Sequence, residues 1–163
     1  MKKYLFLVAL VAMTMLTGCG AKRSQAYYDQ PSLVMSANLD GSYVIRVQVR
    51  AKDGVVAFTE AQRKAVQEVI FDGVKAGNSG ITDLKPLCFD MNAQEKYEDY
   101  FNAFFQDKGE WENYVSIKGQ RIITNDYQRT ISQTVSTMNV TVERAALKKK
   151  LQADGIIPAE GRY

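Results

Sequence analysis

The chain has no histidine, only two cysteines, one tryptophan and three prolines among its 163 residues. Without imidazole it lacks the commonest general base near neutral pH, the usual zinc ligand, and both the Ser-His and Cys-His nucleophile pairs. It also lacks a glycine-rich phosphate loop, a Gly-x-Ser-x-Gly elbow and a paired-cysteine metal motif. These absences predict a protein that is not an enzyme, with no catalytic residue, no cofactor and no metal site. Cys88 sits between Leu87 and Phe89, the setting of a buried, inert thiol.

Charge of one sign is equally scarce. Lysine and arginine number 21 against 18 aspartate and glutamate, and two of the lysines, Lys2 and Lys3, belong to the extreme N-terminus. Without them the chain is near neutral, so its pI of 8.8 is no argument for nucleic acid, and no nucleic-acid partner is expected.

Met1-Lys2-Lys3 is a basic start, and Tyr4–Leu16 is an apolar run broken only by Thr14. This is the pattern of a secretory signal peptide. The run is too short to span a bilayer core, which takes about 20 apolar residues. It ends in Leu16-Thr17-Gly18-Cys19, which resembles the lipobox of bacterial lipoproteins. The resemblance implies cleavage between Gly18 and Cys19, a diacylglycerol on the Cys19 thiol, and a fatty acid such as palmitate on the new amino group. Two or three chains anchor stably where one holds marginally. A lipidated Cys19 leaves Cys88 without a disulfide partner.

Sorting is read from the residues after Cys19. Gly20 is not the aspartate that resembles an inner-membrane retention signal. Lys22 and Arg23 are basic, where an acidic run resembles a surface-export signal. The expected address is the outer membrane of the cell envelope, facing the periplasm. Residues 1–18 then form the cleaved signal peptide, 19–31 a lipidated tether, 32–157 one globular domain and 158–163 a C-terminal tail.

Within the domain, Leu33–Leu39 and Ser42–Ala51 flank Asp40-Gly41. That dipeptide predicts a hairpin with positive φ at both central positions. Tyr43, Ile45, Val47 and Val49 alternate with Val44, Arg46, Gln48 and Arg50, as in a half-buried strand. Thr59-Glu60-Ala61-Gln62 fits a capping box. A helix is expected from there to about Ala76, with Val66, Val69, Ile70, Gly73 and Val74 inward, stopped by Gly77-Asn78-Ser79-Gly80. After an apolar connector, Asn92 is the expected cap of a helix over 93–107. Its stripe of Tyr97, Tyr100, Phe101, Phe104 and Phe105 suits core packing better than a ligand platform. Tyr114–Thr124 and Arg129–Val142 read as two strands joined at 125–128. A last helix, Glu143–Ala153, should bury Leu147 and Leu151 and end at Gly155, with Ile156-Ile157-Pro158 packing back. The expected fold is a single α+β domain, a mostly antiparallel sheet with helices on one face in the order β-β-α-α-β-β-α.

Three surface features compete for function. Trp111, Tyr114 and Tyr127 are the candidate aromatics for a small-molecule, glycan or peptidoglycan fragment. Arg144, Lys148, Lys149 and Lys150 form the densest basic patch, a solvated helix face or a contact for anionic headgroups. Glu95, Glu98, Asp99, Glu110 and Glu112 could serve a histidine-free hydrolase or calcium, but they lack the loop spacing for calcium and suit an exposed helix face.

One succession has a counterpart. A helix carrying Ala-Val-x-x-Val-Ile-Phe-x-Gly-Val (Ala65–Val74) precedes a Tyr-x-x-Phe-Phe-like helix ending at Phe105. Tyr114-Val115 and then Leu-x-x-x-Leu-x-x-x-Gly-Ile (Leu147–Ile156) come after it. Over residues 43–157 this resembles envelope lipoproteins of the LPP20 type and the similar amino-terminal domain of the flagellar protein FlgT. The resemblance implies a non-catalytic α+β module that supports envelope assemblies, and it carries over no site residues. The expected partners are therefore the membrane, through the lipid, and an envelope protein or further copies of the chain. A small-molecule or glycan-binding module is the alternative.

Overall fold

The computed structural model describes residues 30–51, 54–117, 123–124 and 134–159. The expected signal peptide and tether up to residue 29, Cys19, Tyr127 and the expected turn at 125–128 lie outside the described residues.

Strands β1 (Leu33–Ala37) and β2 (Tyr43–Ala51) form the predicted antiparallel hairpin. Its turn differs from expectation: Gly41 is left-handed (φ 83°) and Asp40 is not. The loop is longer than two residues. Gly41 N–H donates to Asn38 O at 3.1 Å, and Asn38 N–H to Ser42 O at 2.9 Å. Asp40 Oδ1 accepts from Ser42 N–H at 2.8 Å and Ser42 Oγ at 2.7 Å, so the aspartate orders the turn through its side chain.

Strand β6 (Thr134–Val142) pairs with the whole of β2, from Tyr43↔Val142 to Ala51↔Thr134. The two-residue period is plain. Ile45, Val47, Val49, Met138, Val140 and Val142 are buried on one face, while Arg46 and Arg50 are exposed on the other. Short strands β3 (Lys75–Ala76), β4 (Val115–Ser116) and β5 (Ile123–Thr124) complete a sheet of order β3-β1-β2-β6-β4, with β5 also on β6. Among the described residues only the β1–β3 pair is parallel. The fold is α+β with a mostly antiparallel sheet, as predicted.

Helix α1 (Gly54–Gln67) begins five residues before Thr59 and runs into a π turn over Glu68–Asp72. Thr59 and Gln62 therefore lie inside the helix and form no capping box. Ala57, Ala61, Ala65, Val66, Val69 and Ile70 are all buried; the alanines let the helix sit close to the sheet. Helix α1 ends at Gly73, not at Gly77–Gly80. Gly73 has φ 76° and ψ 169°, a region open essentially to glycine alone. Val74 is buried from a bridge to Leu84, so it continues the apolar pattern without continuing the helix.

The predicted second helix is two short ones, α2 (Ala93–Lys96) and α3 (Glu98–Phe104), kinked at Tyr97 (φ −118°, ψ 37°). Asn92 makes no side-chain cap bond. Asp90 does that work: its Oδ1 accepts from Asn92 N–H at 3.1 Å and its carbonyl from Ala93 N–H at 3.0 Å. Phe101 and Phe104 are buried, and Tyr97, Tyr100 and Phe105 pack against the core. The aromatic stripe is core packing. A 3-10 turn (Glu110–Tyr114) leads into β4. Helix α4 (Arg144–Ala153) buries Leu147 and Leu151 fully. Beyond it Gly155 (φ 74°) reverses the chain, and Ile156 and Ile157 donate to Leu151 O. The C-terminal segment thus packs back as predicted.

A methyl at Gly73 would lie 2.5 Å from Leu84 O, whereas one at Gly80 meets nothing within 4 Å. Gly73→Ala should cost about 2 kcal/mol or more in urea unfolding, and Gly80→Ala should stay within about 0.5 kcal/mol of wild type.

Candidate functional site

The π turn determines where the connector lies. Leu87 N–H donates to Val69 O at 3.1 Å and Cys88 N–H to Ile70 O at 2.8 Å, satisfying carbonyls that a helix end leaves open. With Leu87 and Cys88 held inward, Phe89 is 72% exposed and Met91 97% exposed. Between them Asp90 is held by the start of α2, with Lys96 Nζ at 3.7 Å. A cleft of about 880 Å³ opens beside Phe89, walled by Leu87, Ala93, Tyr97 and the returning Ile156, Ile157 and Pro158. Its character is apolar, and it adjoins the exposed Phe89, which nothing in the described fold covers.

Cys88 is 5% exposed. Burial, and after it the Asp90 carboxylate, pushes its thiol up to about 11. It is a packed side chain and not a nucleophile.

A second, more polar cleft of about 570 Å³ lies between α3, the turn after it, and α4. Here Lys150 Nζ is 2.7 Å from Glu110 Oε2 and 3.2 Å from Asp154 Oδ2. Tyr100 Oη donates to Asp154 Oδ2 at 2.5 Å. Burial first, then Asp154, holds the Tyr100 phenol far above the ordinary tyrosine value. The hydrogen bonds that Lys150 Nζ donates to Glu110 and then to Asp154 raise its pKa.

The predicted site residues fare unequally. Trp111 is fully buried, contrary to its expected role as an exposed platform. Its Nε1–H donates to Gln106 O at 3.0 Å, and Arg63 covers its ring at 5.4 Å. Tyr114 is half-buried and stacked on Phe104 at 6.3 Å. Tyr127 lies outside the described residues.

The basic patch is not a row of open cations. Arg144 is half-buried and donates to Lys85 O at 3.0 Å, and burial lowers its pKa. Lys150 is tied to Glu110 and Asp154, Lys148 is half-buried, and of the four only Lys149 is exposed. The carboxylates also separate. Glu95 and Glu98 border a hollow with Met91, Asp99 is exposed, and Glu112 accepts from Lys108 N–H at 3.1 Å. Among the described residues no group of three or more histidine, cysteine, aspartate or glutamate side chains is placed to hold a metal ion.

Sequence reasoning missed Phe89, Met91, Tyr100 and Asp154 as surface groups. Only the Lys150–Asp154 spacing of four carried a local signal; Tyr100 is 54 positions from Asp154. Comparison of the chain with protein-family models, curated proteins and solved structures finds no match.

In a Cys19→Ser chain, where Cys88 is the sole thiol, iodoacetamide at pH 8 should alkylate the native protein at least about 100-fold more slowly than the urea-unfolded one. The rate should climb as pH rises toward 11. Mass spectrometry follows the adduct, and equal rates in the two states would show an accessible thiolate.

Proposed function

We propose that this chain is a membrane-anchored lipoprotein of the bacterial envelope, held at the periplasmic face of the outer membrane through Cys19. Its α+β domain is a non-catalytic docking and assembly module. The partner is an envelope protein or another copy of the chain.

The observation that carries the docking reading is the pair of exposed apolar side chains Phe89 and Met91, two positions apart, with Phe89 on the edge of an apolar cleft. Large apolar side chains that a fold leaves in water are the groups interfaces use as anchors, and aromatic and methionine residues are enriched there. The engaged state of the polar groups points the same way. Cys88 is a buried thiol, and Lys150 is engaged by Glu110 and Asp154. The anchor rests on Leu16-Thr17-Gly18-Cys19. A stretched Gly20–Pro31 tether would let the domain work up to about 40 Å from the lipid.

Two substitutions separate anchor from docking. Cys19→Ser should leave an uncut precursor or move the protein out of the membrane fraction; unchanged partitioning would sink the lipoprotein assignment. A photo-crosslinker at position 89 in the full chain should trap one defined envelope protein or a dimer. Met91→Asp in the same crosslinker-bearing chain should abolish that product while the thermal midpoint stays within a few degrees. A strictly monomeric chain that traps nothing at this position would overturn the docking role.

A further inference from the structure

We propose that the polar cleft between α3, the turn at Gln106–Gly109 and α4 binds a neutral, polyhydroxylated ligand of the saccharide class. This site is separate from the Phe89 face and does not depend on the docking reading.

The argument begins with charge. Glu110 and Asp154 face Lys150, with Lys108 at the rim, two anions against two cations. A charged ligand gains little net attraction there. A hydroxyl is both donor and acceptor, so vicinal hydroxyls can bridge a carboxylate oxygen and an ammonium at once, in charge-assisted hydrogen bonds. The row Tyr100 Oη, Asp154, Lys150 and Glu110, linked at 2.5, 3.2 and 2.7 Å, alternates donor and acceptor as such a ligand requires. Tyr100 is half-buried, and its ring, backed by the buried Phe104 at 12° between ring planes, supplies the apolar edge for the C–H face of a sugar ring. The volume of about 570 Å³ falls within the span of small-molecule sites, about 300–1,000 Å³.

The rim is also built to stay in place. Lys108 is the one non-glycine residue with positive φ (59°) among the described residues. Such backbone persists only where its surroundings over-determine it, and here they do. Glu112 holds the Lys108 N–H, Arg63 clamps Asp107 at 2.7 Å, and Gly109 N–H donates to Gln106 O at 2.9 Å. A Cβ at Gly109 would lie 2.3 Å from Phe104 O, so glycine is required for so close an approach. The turn delivers Lys108 to the cleft, where its ammonium makes no ion pair among the described residues.

Trp111 reports on this site, because its Nε1–H bonds to Gln106 O in that turn. The full chain in a non-saccharide detergent would be titrated with N,N′-diacetylchitobiose and with maltose, and with spermidine and citrate as charged comparators. At least one neutral sugar should change Trp111 emission saturably, with Kd at or below about 10 mM, and neither charged probe should. Lys108→Ala and Tyr100→Phe should each weaken sugar binding about tenfold without moving the thermal midpoint by more than a few degrees. If Tyr100→Phe fails to fold, the exposed Lys108→Ala carries the test. No saturation by either sugar up to ~50 mM, or equal affinity in Lys108→Ala, would overturn the site. Phe89→Asp should leave sugar binding unchanged, so failure of the docking face and failure of this cleft are told apart.

Discussion

Everything in this domain hangs on the nine-residue pairing of β2 with β6. Antiparallel register at that length places Ile45, Val47, Val49, Met138, Val140 and Val142 on a single face. A slip of one residue would turn the three on the slipped strand to the opposite face. Each such side chain contributes roughly 1.5–3 kcal/mol on burial, so the register is strongly specified. The alanines of α1 sit close over that face, and the remaining strands attach to the flanks of the pair. Lys64 reinforces the arrangement where β1 stops short of β2, donating from α1 to Gln48 O at 3.2 Å.

From that platform the surface features arise in order. The π turn at Glu68–Asp72 and the reversal at Gly73 leave the carbonyls of Val69 and Ile70 to the connector. Burial is the largest influence on Glu68 in that turn and raises its carboxyl, against the pull of Ser32 and Lys64. The connector takes up the carbonyls with Leu87 and Cys88, and Phe89 and Met91 are what remain outside. On the opposite flank of α3, the Arg63–Asp107 and Trp111–Gln106 contacts hold the turn that carries Lys108. The apolar prominence and the polar cleft are thus both by-products of how α1 and α3 end.

The strand alternation of β2 and β6, the apolar stripes and the closing helix with Leu147 and Leu151 inward were legible in the sequence, because burial on one face imposes a period that composition records directly. Helix ends were less legible. Thr59–Gln62 has the residues of a cap but lies inside α1, and Gly77–Gly80 has those of a stop but comes after it. Caps and stops are local options, and which one is used depends on where the chain next finds a partner. Val74 shows the ambiguity best: buried in a bridge to Leu84, it is indistinguishable by spacing from the next inward residue of a helix.

The sequence alone determined the class of fold, the alternating faces of β2 and β6, the inward stripe of the closing helix, and the absence of histidine. All of these derive from residue type and period. Tertiary structure decided which side chains face water and which meet. It buried Trp111, separated the members of the basic and acidic clusters and paired Lys150 with Glu110, exposed Phe89 and Met91, and joined Tyr100 to Asp154 across 54 positions. Those outcomes depend on distances between elements remote in the chain. No periodicity encodes such distances, because each element's end is set by the hydrogen bonds its neighbours leave unfilled.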